Sequence, residues 1–230
     1  MRIIARGLCA ARGGSVIAGP LDFVLESGEA LIVTGENGAG KSTLLRTLAG
    51  LLPVGGGAID IEGFVAADGE PARHLGEVSH YLGHRNAMKP AESVGAGLGF
   101  WRDFLGAPGL SIAAALSAVG LPQVAKLPFA YLSAGQQRRA AIARLLVAHR
   151  PVWILDEPTA ALDQGSQEMF ARLLSHHLGD GGLIVAATHQ SLGLAARELR
   201  LESRSAGGTI SAEEALQRDA ADRADAEGWL

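Results

Sequence analysis

The stretch GENGAGKST, residues 35–43, decides the fold of this chain. It matches the pattern G-x-x-x-x-G-K-[ST], and it lies between the apolar run ALIVTG (30–35) and a segment with helical periodicity. Its three glycines let the backbone wrap closely, so that successive N–H groups point at phosphate oxygens. The partial positive charge at the start of the following helix favours the same ligand. We therefore predict a phosphate-binding loop rather than a chance run of glycines.

The side chains of this loop indicate nucleotide chemistry. Lys41 is placed to reach the β- and γ-phosphates of a nucleotide, and the Ser42 hydroxyl is placed to coordinate Mg²⁺. The loop residues that we predict to bind the nucleotide and its metal are Gly35, Asn37, Gly38, Gly40, Lys41, Ser42 and Thr43.

The composition is that of a folded globular protein. The chain has 230 residues, of which 48% are hydrophobic and 19% charged, and its formal net charge is −4. This slightly acidic balance argues against a dedicated nucleic-acid binder, which usually carries a basic excess. The one cysteine, Cys9, excludes an intramolecular disulfide and fits a reducing compartment. We expect it to be a small apolar residue in a strand.

No membrane-inserted segment is predicted. Residues 1–14 lack an apolar core long enough for a signal peptide, and arginines interrupt them. No run of about 18 apolar residues occurs, so no helix is expected to span a bilayer. Any membrane role must therefore depend on a partner.

Three short apolar runs predict a parallel sheet. They are ALIVTG (30–35), PVWILDE (151–157) and GLIVAATH (182–189). Runs that are continuous rather than alternating are typical of strands buried on both faces. Each run ends in reactive groups, and ligands of open α/β sheets bind beyond the carboxyl ends of the strands. We therefore expect the three runs to contribute to one shared site.

The rest of the chain is organised around this sheet. A helix is expected at about 41–49, stopped by Gly50, and GGGAIDIEG (55–63) is expected to form a hairpin-like segment. A Gly- and Ala-rich helical subdomain is expected at about 86–150, inside one domain that spans residues 1–204. The polar residues 205–230 are expected to form an extension with one solvated helix and a frayed end.

Two further runs end in groups that suit hydrolysis. At the end of VWILDE (152–157), Asp156 is placed to hold Mg²⁺, and Glu157 to orient the attacking water or accept its proton. His189 ends the third run and is placed to contact the γ-phosphate. The alternatives are an ordinary acidic strand end and a structural histidine, and both remain open on the sequence alone.

The segment YLSAGQQRRAAIARLL (131–146) predicts a second helix start that suits an anion. Ser133 is a good N-cap, and a helix rich in small residues follows it. The chain then has two phosphate-binding helix ends and one lysine-bearing loop. Two copies in a head-to-tail arrangement would resolve this difference. A plain capped surface helix is the alternative.

Five segments together resemble the nucleotide-binding domains of ABC transporters. In order along the chain they are GENGAGKST, LSAGQ (132–136), VWILDE, TAALD (159–163) and ATHQ (187–190). The resemblance covers residues from about 2 to 203. It implies an α/β fold of the P-loop NTPase class, with a mostly parallel core sheet, an antiparallel β subdomain and an inserted helical subdomain.

The resemblance also implies how the site works. Two copies close around two ATP and two Mg²⁺. Glu157 is the catalytic glutamate, His189 is the switch histidine, and Lys41 is counted with them as a catalytic residue. Ser133, Gly135 and Gln136 face the γ-phosphate bound to the other copy, and Asp163 couples the two sites across the interface.

Two positions depart from the family pattern. Arg12 stands where an aromatic residue usually stacks on adenine, although a guanidinium can also stack on a base. His84 stands where a glutamine usually contacts Mg²⁺ and the attacking water. A neutral imidazole can take part of that role through one nitrogen, so His84 is included among the metal-site residues. The alternative is that His80 and His84, four residues apart, bind a metal or haem.

A finer resemblance depends on the same histidine. YLGHRNAMKP (81–90) and LGFW (98–101) resemble the ATP-binding subunits that mature c-type cytochromes. This implies a peripheral ATPase on the cytoplasmic face of the bacterial inner membrane, with membrane subunits of the CcmB, CcmC and CcmD type. Its output is then haem export or release of the haem-loaded chaperone CcmE, with haem involved only indirectly. The expected docking patch consists of Arg85, Met88, Lys89, Phe100 and Trp101, and the alternative places the last two in the core.

Three other functions compete with this interpretation. One is the ATPase subunit of a different ABC exporter, which co-purifying partners would distinguish. Another is a soluble ABC ATPase that acts on DNA or the ribosome, but the chain lacks a coiled-coil insertion, zinc cysteines or a second cassette. The third is a non-catalytic nucleotide-binding module, which the presence of Glu157 disfavours.

Overall fold

The structure is a computed structural model that describes residues 1–202. Two antiparallel strands come first, and strands and helices follow in mixed order. In chain order they are β1 (Arg2–Arg12), β2 (Ser15–Glu26), β3 (Ala30–Thr34), α1 (Lys41–Leu48), β4 (Val54–Glu62), β5 (Ser79–Leu82), α2 (Val94–Leu105), α3 (Ile112–Ala118), α4 (Ala134–Val147), β6 (Val152–Asp156), α5 (Gln164–Gly179), β7 (Leu183–Ala187) and β8 (Arg197–Arg200).

The core sheet is parallel, as the three apolar runs predicted. Its strand order is β5-β6-β7-β3-β8, and every neighbouring pair is parallel. All residues of β6 and β7 are buried, because helices and the second sheet cover both faces. The register aligns the strand ends: Ala187 of β7 lies opposite Asp156 of β6 and Val33 of β3.

A separate antiparallel sheet has the order β2-β1-β4. The hairpin-like expectation for GGGAIDIEG was wrong, because these residues belong to one continuous strand, β4, that pairs with β1. The glycines allow the backbone of β4 to lie close to the backbone of β1, and they do not form a turn. A Cβ atom on Gly57 would lie 2.2 Å from the Gly7 carbonyl oxygen, so only glycine fits at this irregular point of the ladder. Cys9 is half-buried in β1, as expected.

The helices pack against both faces of the core sheet. Helix α1 ends one residue before the expected boundary and buries Leu44, Leu45 and Leu48. Helix α4 is lined with buried small residues and packs against α2, α3 and β5. The expected helical region at about 86–150 thus contains α2, α3 and α4, and its boundaries stay a prediction. The expected extension at 205–230 lies outside the described residues.

Within residues 1–202, no helix has the length and apolarity that crossing a bilayer requires. The buried apolar residues of this described range form two clusters, one on each face of the parallel sheet.

His80 in β5 is a core residue, since its side chain is only 2% exposed. Its Nε2 lies 2.9 Å from the Ala148 carbonyl oxygen and donates a hydrogen bond to it. Burial lowers the pKa of His80 to about 3. A histidine that stays neutral in the folded state but binds a proton in the unfolded chain makes the protein less stable as the pH falls.

We therefore expect the free energy of unfolding to fall between pH 6.5 and the folded pKa of His80, by up to about 1.4 kcal/mol per pH unit. His80→Gln keeps an N–H donor and removes the titration. Urea denaturation at pH 7 and pH 5 should show a loss of stability that is about 2 kcal/mol smaller in this variant. His176→Gln, at an exposed site, is the matched control. An equal loss in His80→Gln and the original protein would contradict this role.

Candidate functional site

The phosphate-binding loop joins the end of β3 to the start of α1. At two of its glycines a side chain would be too close to neighbouring atoms, and the backbone also has a positive φ. A Cβ on Gly35, at φ 142°, would lie 2.6 Å from the Leu201 carbonyl oxygen. A Cβ on Gly40, at φ 93°, would lie 2.8 Å from the Ile17 side chain. The loop is therefore held between β8 and β2 in a conformation that only glycine adopts easily.

Lys41 lies inside this loop. Its Nζ donates to the carbonyl oxygens of Gly35 and Glu36, at 2.7 and 2.9 Å. Both of these partners are neutral carbonyl groups. The buried ammonium therefore has no counter-ion among its hydrogen-bond partners. Asn37 and Gly38 are exposed at the tip of the loop, and Ser42 and Thr43 are half-buried in the first turn of α1. This arrangement fits the phosphates of a nucleotide.

Asp156 ends β6 and is buried. The Tyr81 hydroxyl donates to its Oδ2 at 3.3 Å. Burial, with a smaller contribution from Asp156, raises the pKa of Tyr81 to about 12, so the hydroxyl remains a donor. The carboxylate of Asp156 and the hydroxyl of Ser42 are oxygen ligands of the kind that Mg²⁺ prefers, and both follow strand ends on the same edge of the sheet.

Glu157 follows Asp156 in a strained backbone conformation, with φ at 44°. Its amide nitrogen donates to the Ala187 carbonyl oxygen at 2.8 Å, which ties the turn after β6 to the end of β7. His189 lies beyond the same end of β7, and its Nε2 is 3.8 Å from Glu157 Oε1. The structure thus brings together Glu157 and His189, which the sequence placed at separate strand ends.

The LSAGQ segment begins α4 with a capping box. Ser133 Oγ accepts from the Gln136 amide at 3.3 Å, and Gln136 Oε1 accepts from the Ser133 amide at 2.9 Å. Gly135 lies against the TAALD segment, because a Cβ there would be 3.0 Å from the Ala161 carbonyl oxygen. The two segments that are expected at a dimer interface are therefore neighbours.

Asp163 caps α5. Its Oδ1 accepts from the Ser166 amide at 2.8 Å. Hydrogen bonds from Ser166 lower the pKa of Asp163, so the carboxylate is ionised at this exposed position. The sequence missed this capping role, although an aspartate three residues before a serine at a helix start is the usual signal for one.

The two departures from the family pattern lie at the edges of the site. Arg12 is half-buried at the end of β1, next to the Gly13–Gly14 turn. His84 is exposed in the loop after β5. Because His80 is buried and bonded to Ala148, it does not form a ligand pair with His84. Residues 1–202 also contain no cluster of three or more His, Cys, Asp or Glu that would hold a metal. The buried, hydrogen-bonded position of His80 therefore argues against the alternative of a metal or haem pair.

The expected docking patch divides in two. Phe100 is 57% exposed and stacks on Phe104, which is also exposed, with ring centroids 5.6 Å apart. Trp101 instead faces inward: its Nε1 donates to the Ala87 carbonyl oxygen at 2.8 Å, and the guanidinium of Arg144 lies 4.5 Å from its ring centroid. Phe100 is thus exposed, as the docking patch requires, whereas Trp101 is half-buried and belongs to neither the exposed patch nor the core.

Sequence reasoning missed Arg138, which contacts more of the site than any residue it selected on α4. Its guanidinium donates to the carbonyl oxygens of the turn after β6 and to the loop that carries His84. Arg138 lies on the same buried face of α4 as Ile142 and Leu145. The signal that could have identified it is a charged residue at an apolar position of the helix.

Comparisons with known proteins agree with this geometry. A family model described as ABC transporter matches residues 19–160. The cytochrome c biogenesis ATP-binding export protein CcmA of Rhodopseudomonas palustris (strain HaA2) is 55% identical over 201 residues, covering 87% of this chain and 98% of that protein. The protein of the same name from Rhizobium meliloti (strain 1021) is 54% identical over 200 residues, covering 85% of this chain and 94% of that protein.

Solved structures share the fold. The ATP-binding subunit of an ABC transporter has a TM-score of 0.74 at 20% identity, covering 96% of this chain and 94% of that chain. An ATP-binding cassette solved as a dimer in a post-hydrolysis state, bound to ADP and Pi, has a TM-score of 0.71 at 22% identity, covering 88% and 96%. The chain is therefore an ATPase that belongs to the ABC transporter family and is similar, over nearly its whole described length, to the cytochrome c biogenesis ATP-binding export proteins named CcmA.

Proposed function

We propose that this chain hydrolyses ATP as the peripheral subunit of a membrane complex for c-type cytochrome biogenesis. The observation that carries the proposal is the convergence of the phosphate-binding loop, Asp156, Glu157 and His189 at one edge of the parallel sheet. The similarity to proteins named for cytochrome c biogenesis supports the specific role.

The phosphates of ATP bind in the loop of residues 35–43. Lys41 exchanges its two main-chain carbonyl partners for β- and γ-phosphate oxygens, which are stronger acceptors for an ammonium group. Ser42 and Asp156 would hold Mg²⁺, which would neutralise charge on the phosphate oxygens. The guanidinium of Arg12 stacks on the adenine from the end of β1.

Glu157 acts on the attacking water. The water oxygen forms a bond to the γ-phosphorus, the bond from that phosphorus to the β–γ bridging oxygen breaks, and a water proton passes to the Glu157 carboxylate. ADP and phosphate are the products. His189, 3.8 Å from Glu157, contacts the γ-phosphate and keeps the carboxylate oriented. The strained backbone of Glu157 is typical of residues that are held in place for a reaction.

Two copies form an ATP-bound dimer in a head-to-tail arrangement. The capping box leaves the start of α4 ordered and open, so that Ser133, Gly135 and Gln136 approach the γ-phosphate bound to the other copy. Asp163, in the neighbouring segment, couples the two sites across the interface. The dimeric ATP-binding cassette with this fold supports the arrangement.

The partners are membrane subunits of the CcmB, CcmC and CcmD type, on the cytoplasmic face of the inner membrane. The exposed pair Phe100 and Phe104, with Arg85 and Lys89 nearby in the sequence, supplies the aromatic and cationic groups that interfaces favour. Hydrolysis then drives haem export or release of the haem-loaded chaperone CcmE, and haem is involved only indirectly.

Glu157→Gln should bind ATP but hydrolyse it at least about 100-fold more slowly, because the carboxylate that receives the water proton is gone. Size-exclusion chromatography with ATP should then show a trapped dimer. Lys41→Ala is the control, since it should lose ATP binding and stay monomeric under the same conditions. If Glu157→Gln hydrolysed ATP at the original steady-state rate, Glu157 would not be the group that accepts the water proton.

The biological role is tested in a strain that lacks this chain. We expect the strain to lose c-type cytochromes, visible by haem staining, and an affinity-tagged copy to restore them and to recover the CcmB- and CcmC-type subunits from detergent-solubilised membranes. Normal c-type cytochromes in the deletion strain would exclude the maturation role and leave the ATPase assignment standing. Recovery of other membrane subunits would identify a different exporter.

His84→Gln separates catalysis from coupling. If His84 serves the partner, the variant should hydrolyse ATP at within about twofold of the original rate but fail to restore c-type cytochromes in the deletion strain. If His84 lies in the metal site, hydrolysis itself should change, because an imidazole nitrogen and an amide oxygen differ as ligands of Mg²⁺. We expect the first outcome, since His84 is exposed in the loop after β5.

A further inference from the structure

The side chain of Arg138 is saturated with hydrogen bonds to the active-site segments. It is only 4% exposed, and each of the five N–H groups that a guanidinium carries can be matched to an acceptor. Nε donates to the Pro158 carbonyl oxygen at 3.0 Å, and Nη2 donates to the carbonyl oxygens of Asp156 and Glu157 at 3.1 and 2.8 Å. Nη1 donates to the Gly83 carbonyl oxygen at 2.8 Å and to Asn86 Oδ1 at 3.4 Å.

Three of these acceptors are consecutive carbonyls of one turn, Asp156–Pro158. The middle residue, Glu157, has a positive φ of 44°, which is a strained conformation for a non-glycine residue. Its amide nitrogen is fixed by Ala187, and its carbonyl oxygen is fixed by Arg138. Arg138 therefore stabilises the carbonyl side of the strained peptide from which the Glu157 carboxylate projects.

The other two acceptors lie in the loop that carries His84. Gly83 and Asn86 stand on either side of this histidine in the sequence, and both bind the same Nη1 atom. One planar group thus fixes the position of the turn after β6 relative to the loop after β5. A flexible ammonium or an apolar side chain has no equivalent geometry.

The charged form of Arg138 is disfavoured by burial. Burial lowers the pKa of Arg138, while Asp156, Tyr81 and Glu157 oppose that effect. Packing alone does not require a cation here, since apolar residues often replace buried charges without loss of stability. Its neighbour Arg139 offers a comparison, because Arg139 donates to the Val119 and Gly120 carbonyls of the helical region instead.

We propose that Arg138 is a positioning residue for hydrolysis, which holds the Asp156–Pro158 turn so that the Glu157 carboxylate faces the attacking water. The proposal rests on the assignment of Glu157 in the proposed function. It predicts an effect on the rate of the chemical step and little effect on ATP binding, because Arg138 contacts neither Lys41 nor the loop of residues 35–43.

The test compares Arg138→Met, Arg138→Lys and the control Arg172→Met, at an exposed position of α5, in the full chain. In Arg138→Met, kcat for ATP should fall at least about 10-fold while KM changes by less than about twofold, since small displacements of a catalytic group cost up to about 100-fold. Arg138→Lys should recover part of kcat by keeping one or two of the bonds. Arg172→Met should stay within about twofold in both constants.

A second measurement distinguishes positioning from general damage. If Arg138 acts through Glu157, adding Arg138→Met to Glu157→Gln should leave the single-turnover rate of Glu157→Gln unchanged. An additional loss equal to that of Arg138→Met alone would overturn the proposal, as would a parallel loss of ATP binding in Arg138→Met. If Arg138→Met fails to fold, the same comparison is made with Arg138→Lys.

The outcomes also separate this inference from the proposed function. If Glu157→Gln loses hydrolysis while Arg138→Met keeps its kcat, the positioning role fails and the base assignment stands. If Glu157→Gln keeps hydrolysis, the base assignment fails first, and with it the role of Arg138.

Discussion

The site depends on the hydrogen-bond register between three parallel strands. Ala187 at the end of β7 pairs with Val33 on one side and with Asp156 on the other. A parallel ladder in this register ends its strands together, so the phosphate-binding loop, Glu157 and His189 all begin at one edge. A shift by one residue would also move every buried side chain of β6 or β7 to the opposite face, and the two core clusters strongly oppose such a shift.

This edge carries charges that the fold buries before any ligand binds. Lys41 is held by the carbonyls of its own loop, Asp156 by the Tyr81 hydroxyl, and Arg138 by main-chain carbonyls and one side-chain amide. Each group is satisfied by neutral partners, which solvate a charge less well than water does. The phosphates of a nucleotide supply the opposite charge that the carbonyl partners of Lys41 lack. The fold therefore stores part of the driving force for nucleotide binding in the same contacts that keep the free site ordered.

The sequence predicted those parts of the molecule that local patterns determine. Continuous apolar runs identified β3, β6 and β7, and the glycine pattern located the loop between β3 and α1. Local patterns do not reveal which backbone atoms a distant side chain reaches. Residues 55–63 were expected to form a hairpin-like segment because the close approach of Gly57 to β1 is a tertiary contact. Arg138 was overlooked because its acceptors lie about 20 and 50 residues away. Phe100 and Trp101 are neighbours in sequence, yet only the packing of α2 on α4 decides which of them faces outward.

The loop after β5 connects the turn that carries Glu157 to helix α2 through side-chain hydrogen bonds. Arg138 holds its Gly83 and Asn86, and Trp101 of α2 holds its Ala87. Arg144 completes the connection, because it lies over the Trp101 ring and donates to the Tyr81 carbonyl oxygen, while the Tyr81 hydroxyl reaches Asp156. The loop is tied to two helices that also pack on each other, through Arg138 of α4 and Trp101 of α2. A displacement of either helix therefore acts on the residues on both sides of His84, because Gly83 and Asn86 bind Arg138 and Ala87 binds Trp101.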